Sequence, residues 1–409
     1  MPTLRDCVVL HGPELTPQHC PRFSWQRDTV TEIELAAPAP RLDTAALVVM
    51  PSFCNAHTHL GDGALPDGAT GLTLAEGFFR PNGYKYRELA KIAPERLRET
   101  MTAHLKYMAR TGTTSHVDFR EQGIEGASLL RSASHSTGVR SIILSQFKES
   151  PFDAETLDTN QAILSPENVR ELNAMLEIAD GFSESTMNDL TDPAWREVRR
   201  QTTDQAKLRA VHCLEDESYR QTSLDRTGRG DLERAIDLLE PHLVVHLTVA
   251  TADEISALAR SNIPPVLNPR ANMTLGLPPP PIADLLRAGA HPLLGTDNVM
   301  LNPPNLLAEL DFTFRIARSQ FGPGEPSRPD PADMLKMVCS HPGRLLGGDD
   351  PGTLETGKPA NFVLLDFSSD HLRHTRHLLA SIATRLGEHD VLATYRHGRE
   401  LWRSARFSI

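Results

Sequence analysis

The sequence predicts an α/β protein: a (β/α)8 TIM barrel with a small β-sandwich domain formed by both termini. Three observations predict it. Short apolar runs alternate with helical patterns along most of the chain. Eight such units fit between residues 48 and 346, a span that matches the ~250 residues of a plain barrel plus some insertion. Polar residues stand at the ends of several runs, on the face where barrels carry their sites.

The apolar runs are read as strands in order: 47–53, 113–119, 140–147, 174–182, 208–212, 243–247, 265–268 and 291–295. The first leads into Asn55-Ala56-His57. Between them lie helix signals. Pro94 suits a first helical turn. Leu97, Met101, Leu105 and Met108 follow at helical spacing, and Gly112 is a stop. Asp253 and Glu254 suit a helix N-terminus, where acidic groups oppose the dipole. Ile282, Leu285 and Leu286 form another apolar face, closed by Gly289. Two stretches read as loops: 61–83, rich in Gly and Pro and expected to be a lid, and 321–331, a Pro/Gly segment before a helix.

The ends stand outside this barrel. Residues 1–47 and 347–409 carry strand-like pieces such as 362–366 and 391–395, expected to pair as the small β-domain. The barrel is assigned 48–346.

Composition narrows the function. Of 409 residues, 39% are hydrophobic and 23% charged, which supports a large core. The formal net charge of −11 argues against nucleic acid and membrane surfaces as partners, since both favour basic patches. No secretory signal or membrane span is visible. The five cysteines are scattered, with no C-x-x-C, so a cytoplasmic location is expected. A homo-oligomer is compatible with all of this.

The chemistry-bearing residues come next. His57 and His59 are two apart, so on a strand both imidazoles face one side and reach a common ion. H-x-H also arises by chance, and its place after an apolar strand is what sharpens it. His212 ends a second apolar strand, and Glu215 follows three residues on. Glu215 reads equally as a proton carrier and as an acidic residue at a helix start. His246 ends a third strand; it reads as a ligand, as a hydrogen-bonding partner of bound hydroxide, or as a core histidine. Asp297 follows the last strand within Gly295-Thr296-Asp297-Asn298, a pattern that on its own suits a turn. Chance placement of all of these at strand ends is far less frequent than of any one.

The order H-x-H, H-x-x-E, His, Asp resembles the amidohydrolase superfamily, in particular its deaminase branch with cytosine, adenosine and S-adenosylhomocysteine deaminases. Residues 51–59, 211–215 and 353–361 are similar to the family's first strand, fifth strand and returning turn. The resemblance implies a metal-dependent hydrolase of non-peptide C–N bonds. It implies one divalent ion, Zn or Fe, held by His57, His59, His212 and Asp297. Glu215 would shuttle protons, His246 would stabilise the attacking hydroxide and Asp297 would accept a proton from the metal-bound water. The substrate would be a small nucleobase-like or nucleoside-like heterocycle that loses ammonia. A cyclic amide hydrolase of the same superfamily and a catalytically inactive scaffold are the alternatives.

The fourth strand ends in Ser183-Glu184 without the lysine of binuclear members, so a single ion is expected; Lys148 reads as a solvated surface residue. Gln146, Asn272 and Asn298 are candidate substrate-binding residues. Asn298 stands where the family carries a second acidic residue, which sets cytosine itself apart. His371, His374 and His377 read as a solvated helical face, and Cys54 and Cys213 as small core thiols.

Overall fold

The computed structural model describes residues 2–36 and 47–407. Seven parallel strands lie side by side in chain order: Phe53–His59, Thr113–Arg120, Arg140–Ser145, Gly181–Glu184, Leu208–Cys213, Leu243–His246 and Pro265–Leu267. The eighth is divided. Leu293–Leu294 pairs with Pro265–Leu267, and Asp297–Asn298 pairs with Phe53–His59. At the crossover the Gly295 N–H donates to Leu267 O (3.0 Å) and the Thr296 N–H to His57 O (3.1 Å). One strand therefore closes the sheet on itself. Gly295 is required there, because a Cβ would lie 2.5 Å from Asn268 Oδ1 and 2.6 Å from His57 Cβ.

Two strand expectations are corrected. The run 47–53 is not one barrel strand: Leu47–Pro51 belongs to the terminal sheet, and only Phe53–His59 enters the barrel. Both sheets bury these residues on both faces, so an apolar run carries no sign of which sheet it joins. The run 174–182 begins as helix. Pro166–Ile178 is helical because Ser165 caps it, Pro166 sits in its first turn, and Leu172, Met175 and Leu176 make one buried face. Strand structure starts only at Gly181.

The other helices follow their signals. Pro94 opens Pro94–Arg110, which buries Leu97, Met101, Leu105 and Met108. Ala252–Ser261 starts with a reciprocal cap between Thr251 and Glu254. Asp330 caps Pro331–Lys336 after the Pro/Gly segment. The 371–377 stretch is not a helix; the following helix begins at Leu378, and His371 Nε2 lies 3.1 Å from Asp390 Oδ2.

The termini supply a seven-stranded sheet in the order Arg399–Arg403, Val391–Arg396, Phe362–Asp366, Leu47–Pro51, Thr3–His11, Thr16–Gln26, Thr29–Ala36. It curls strongly. Phe23 and Trp25 from one side meet the Phe362 ring at 5.2 and 5.0 Å, and Trp25 meets the Tyr395 ring at 5.3 Å. The last-ordered strand folds back, with the Val30 N–H donating to Lys358 O (2.9 Å). Val8, Leu10, Met50 and Val363 face the other way and share the barrel's core.

The segment after the first barrel strand crosses the barrel mouth. It contains the short helices Leu74–Phe78 and Tyr84–Leu89. Arg80 ties it down: Nη1 reaches Glu184 Oε2 (2.8 Å), and Nη2 donates to Phe147 O (2.6 Å) and Lys148 O (3.0 Å). No described helix is long and apolar enough to cross a membrane.

Candidate active site

Parallel strands all end on one face of the barrel, and this face gathers the predicted residues. Alternation along Phe53–His59 turns His57 and His59 to the same side. Their ring centroids are 4.8 Å apart. His212, the penultimate residue of its strand, places its ring 5.0 Å from His57 and 5.6 Å from His59. Asp297 Oδ1 lies 3.0 Å from His57 Nε2 and 3.6 Å from His59 Nε2. His246 joins them, 5.1 Å from His212 and 5.8 Å from His57 by ring centroid. Potential ligand atoms of His57, His59 and Asp297 lie within 4.8 Å of one another, as do those of His57, His212 and His246.

Neighbouring groups set these rings. Asn55 joins the first strand to the eighth: its Oδ1 accepts from the Thr296 N–H (3.0 Å) and its Nδ2 donates to Thr296 Oγ1 (2.7 Å). That pair fixes the residue before Asp297. Asp297 and His246 both adopt left-handed backbone, φ 59° and 78°. Such conformations cost about 1–3 kcal/mol each and cluster at functional sites. His59 Nδ1 lies 2.7 Å from Glu121 Oε1, and His212 Nδ1 lies 3.2 Å from Glu184 O. Both bonds leave Nε2 turned to the shared centre, the usual arrangement behind a metal-ligating histidine. His246 differs: Asn272 Nδ2 approaches its Nδ1 at 3.0 Å, which leaves the proton on Nε2 and makes that atom a donor.

Burial governs the charges. It pushes His57 down to about 3 and His246 down to about 4, although Asp297 pulls both the other way. Burial, with the neighbouring imidazoles, also holds His212 well below its ordinary value. Burial opposes ionisation of Asp297, but the hydrogen bond and charge of His57 outweigh it and hold the carboxylate below its usual range. His59 differs: burial and the Lys85 charge lower it, but the Glu121 and Asp297 carboxylates outweigh them and raise it. Imidazole nitrogens and a carboxylate oxygen converge in one pocket, the donor set that suits a divalent cation with nitrogen and oxygen affinity.

Glu215 stands beside this centre. It is 5% exposed, and its Oε2 lies 3.4 Å from His246 Nε2 and accepts from the Tyr219 hydroxyl (3.0 Å). Burial pushes its carboxyl up to about 8; the Asp297 charge adds to this and the Tyr219 hydrogen bond opposes it. A carboxyl that keeps its proton near neutrality is suited to proton transfer.

The remaining candidates divide. His59, His212, Glu215, His246, Asp297 and Asn298 line one small pocket of about 40 Å³ together with Leu74, Phe78, Lys85, Tyr86 and Tyr219. The structure does not bring Asn272 into its wall: that side chain is fully buried behind His246. Nor does it bring Gln146, which lines a separate hollow with Arg80 and Gln122. Gln146 follows a strand end and faces away from the pocket, and Asn272 sits on the short helix Pro269–Thr274 that carries it behind His246. Lys148 is exposed and lies 3.6 Å from Glu125 Oε2. Cys54 and Cys213 are buried thiols, pushed up by burial, Cys54 to about 12.

Sequence reasoning missed Asp62, Lys85, Glu121 and Tyr219. Glu121 follows directly on a strand end, and Tyr219 sits four residues after Glu215, spacing that brings side chains together on a helix. Asp62 and Lys85 gave no signal, since they lie in the mouth-crossing segment.

The amidohydrolase family model matches residues 48–401. The chain belongs to the amidohydrolase family. It is therefore a hydrolase of C–N bonds, built on the family's barrel with an extra sheet from the termini. A putative aminohydrolase of Methanothermobacter thermautotrophicus is 32% identical over 368 residues, which cover 90% of this chain and 91% of that protein. A 5-methylthioadenosine/S-adenosylhomocysteine deaminase of Caldanaerobacter subterraneus is 24% identical over 386 residues, 89% of this chain and 84% of the relative. The crystal structure of a zinc-bound adenosine deaminase from Xanthomonas campestris superimposes with a TM-score of 0.83 at 21% identity, covering 97% of this chain and 92% of that one. The buried imidazole–carboxylate centre supports a metal cofactor in this amidohydrolase.

Proposed function

We propose that this amidohydrolase is a hydrolytic deaminase of a nucleobase-like or nucleoside-like heterocycle that uses one divalent ion, zinc or iron. The observation that carries the reading is the triad of Glu215, His246 and Asp297, whose polar atoms lie within 4.8 Å of one another beside three further imidazoles. His57, His59, His212 and Asp297 would hold the ion. A bound divalent ion supplies Lewis acidity, lowering the pKa of water from ~15.7 toward ~7.

The chain's own groups do the rest. Asp297 accepts a proton from the attacking water. His246, with its proton on Nε2, donates to the water oxygen and fixes its direction. Glu215 delivers its proton to a ring nitrogen as the oxygen adds to the amine-bearing carbon. It then takes up the proton held by Asp297 and passes it to the departing nitrogen, and the hydroxyl proton of the adduct returns to Glu215 as the carbonyl forms. Water and the amine are consumed; a carbonyl and ammonia result. Leu74, Phe78, Tyr86 and Tyr219 supply the pocket's apolar and aromatic wall beside these groups. Asn298 stands in the pocket wall next to Asp297, its amide held by Asp62 and the Met300 N–H.

The relatives that act on adenosine-type compounds support the heterocycle, and the zinc-bound neighbour favours zinc. All five cysteines are free and buried, which supports a reducing cytoplasm. The test is a panel of nucleobases, nucleosides and pterins assayed for ammonia with the metal-loaded protein. Ammonia release supports deamination. Ring opening without ammonia, or no turnover by fully metal-loaded protein on any member, contradicts it.

A further inference from the structure

Behind His59 lies a second cluster that the mechanism does not use. His59, Asp62 and Glu121 bring potential ligand atoms within 4.8 Å of one another, and all three are buried. An imidazole with two carboxylates is itself a reasonable donor set for a divalent cation. This hollow already contains a cation. The Lys85 ammonium lies 2.9 Å from Asp62 Oδ2 and 3.1 Å from His59 Nδ1, and it pairs directly with Glu121 Oε1. Its side chain is 5% exposed.

We propose that Lys85 is a built-in cation that occupies the position behind His59 which Asp62 and Glu121 would otherwise offer to a metal ion, so that no ion binds there. The inference rests on the reading that the first ion sits among His57, His59, His212 and Asp297.

Three features carry it. Asp62 is fully buried; besides Lys85 it accepts from Asn298 Nδ2 at 2.5 Å and lies in the field of Arg120, while its Oδ1 has no hydrogen-bond partner. Two carboxylates in such a place demand a nearby positive charge. Secondly, the lysine comes from Tyr84–Leu89, in the segment that crosses the mouth, and not from a barrel strand. Thirdly, Glu121 serves two masters: its Oε1 is shared by His59 Nδ1 (2.7 Å) and the ammonium, and its Oε2 pairs with Arg120. With Lys85 in place the Glu121 carboxylate is saturated, His59 Nδ1 stays committed to it, and only Nε2 faces the first centre.

The test counts metal ions per chain by mass spectrometry and titrates Zn²⁺ and Mn²⁺ by calorimetry. The intact protein is expected to hold one ion. Lys85→Ala is expected to hold two, the second bound roughly 100-fold more tightly than any residual second binding by the intact protein. Lys85→Arg, which keeps the charge, is expected to hold one. Lys85→Ala with Glu121→Gln is expected to return to one, since the hollow loses a ligand. Purifying Lys85→Ala in ethylammonium keeps the hollow filled while the chain folds. Dialysing the amine out in the presence of Mn²⁺ should then admit the second ion, and adding it back should expel that ion.

One ion in Lys85→Ala, under either preparation, overturns the proposal, as do two ions in the intact protein. No ion in the intact protein overturns the first centre and the proposal with it. The count is independent of turnover, so a failure of the deaminase reading is seen separately, as an inactive protein with the expected ions.

Discussion

Replacing Glu215 with glutamine separates the chemistry of this site from its stability. The amide keeps the shape of the side chain, an acceptor for Tyr219 and a neighbour for His246, but it has no proton to give. A positioned acid–base group contributes ~10²–10⁴-fold, or about 3–5 kcal/mol of barrier. Turnover of Glu215→Gln should fall by that range while the bound metal is unchanged. Stability should move the opposite way in metal-free protein. Burial, then the Asp297 charge, pushes the Glu215 carboxyl up to about 8 from 4.5. A carboxyl raised on folding favours the folded state least above its folded value. Its contribution is fully present below pH ~4.5, declines as pH rises toward ~8, and is flat beyond. At pH 7 the unfolded chain gains about 3 kcal/mol from ionising this group. Glutamine removes that gain. Denaturant titration of the metal-free proteins from pH 4.5 to 8 should show Glu215→Gln the more stable at pH 7, with a shallower loss across the window. A variant with full activity, or with parallel stability curves and no gain, would refute the assignment of Glu215 as a buried proton donor.

Three further outcomes follow from the geometry. A strong chelator should abolish turnover and lower the melting temperature, with Zn²⁺ restoring both; activity that survives complete metal removal would contradict the centre. Asn55→Ala should cost about 2–4 kcal/mol in denaturant titration, because the Thr296 N–H and hydroxyl lose buried partners, and should weaken metal binding through Asp297; unchanged metal affinity would show that the eighth strand holds Asp297 without this bond. Gly295→Ala should destabilise by about 1–3 kcal/mol, since a Cβ there meets His57 Cβ at 2.6 Å; a neutral substitution would show that the first and eighth strands lie further apart.

The sequence was most informative where periodicity and residue chemistry coincide. His57, His59, His212, His246 and Asp297 each follow or end an apolar run, and parallel strands carry such ends to one face, so no knowledge of tertiary contacts was needed to group them. It was least informative where two environments share one pattern. The apolar run from Leu47 serves two sheets, broken at Ser52, and helix Pro166–Ile178 looks strand-like only if its cap at Ser165 is overlooked. Gln146 follows a strand end and Asn272 a short helix beyond one, and the side each faces depends on packing that no local pattern encodes. Lys85, Asp62 and Glu121 meet from distant positions in the sequence, in an arrangement without local spacing, visible only after the mouth-crossing segment is folded onto the barrel.

The most direct measurement is a crystal structure of the metal-loaded protein with anomalous data collected at the zinc absorption edge. The account predicts one peak, at about 2.0–2.2 Å from Nε2 of His57, His59 and His212 and from the Asp297 carboxylate, with Glu215 outside its coordination. A peak held elsewhere, or a loaded and active protein with no ion among these four side chains, would contradict it.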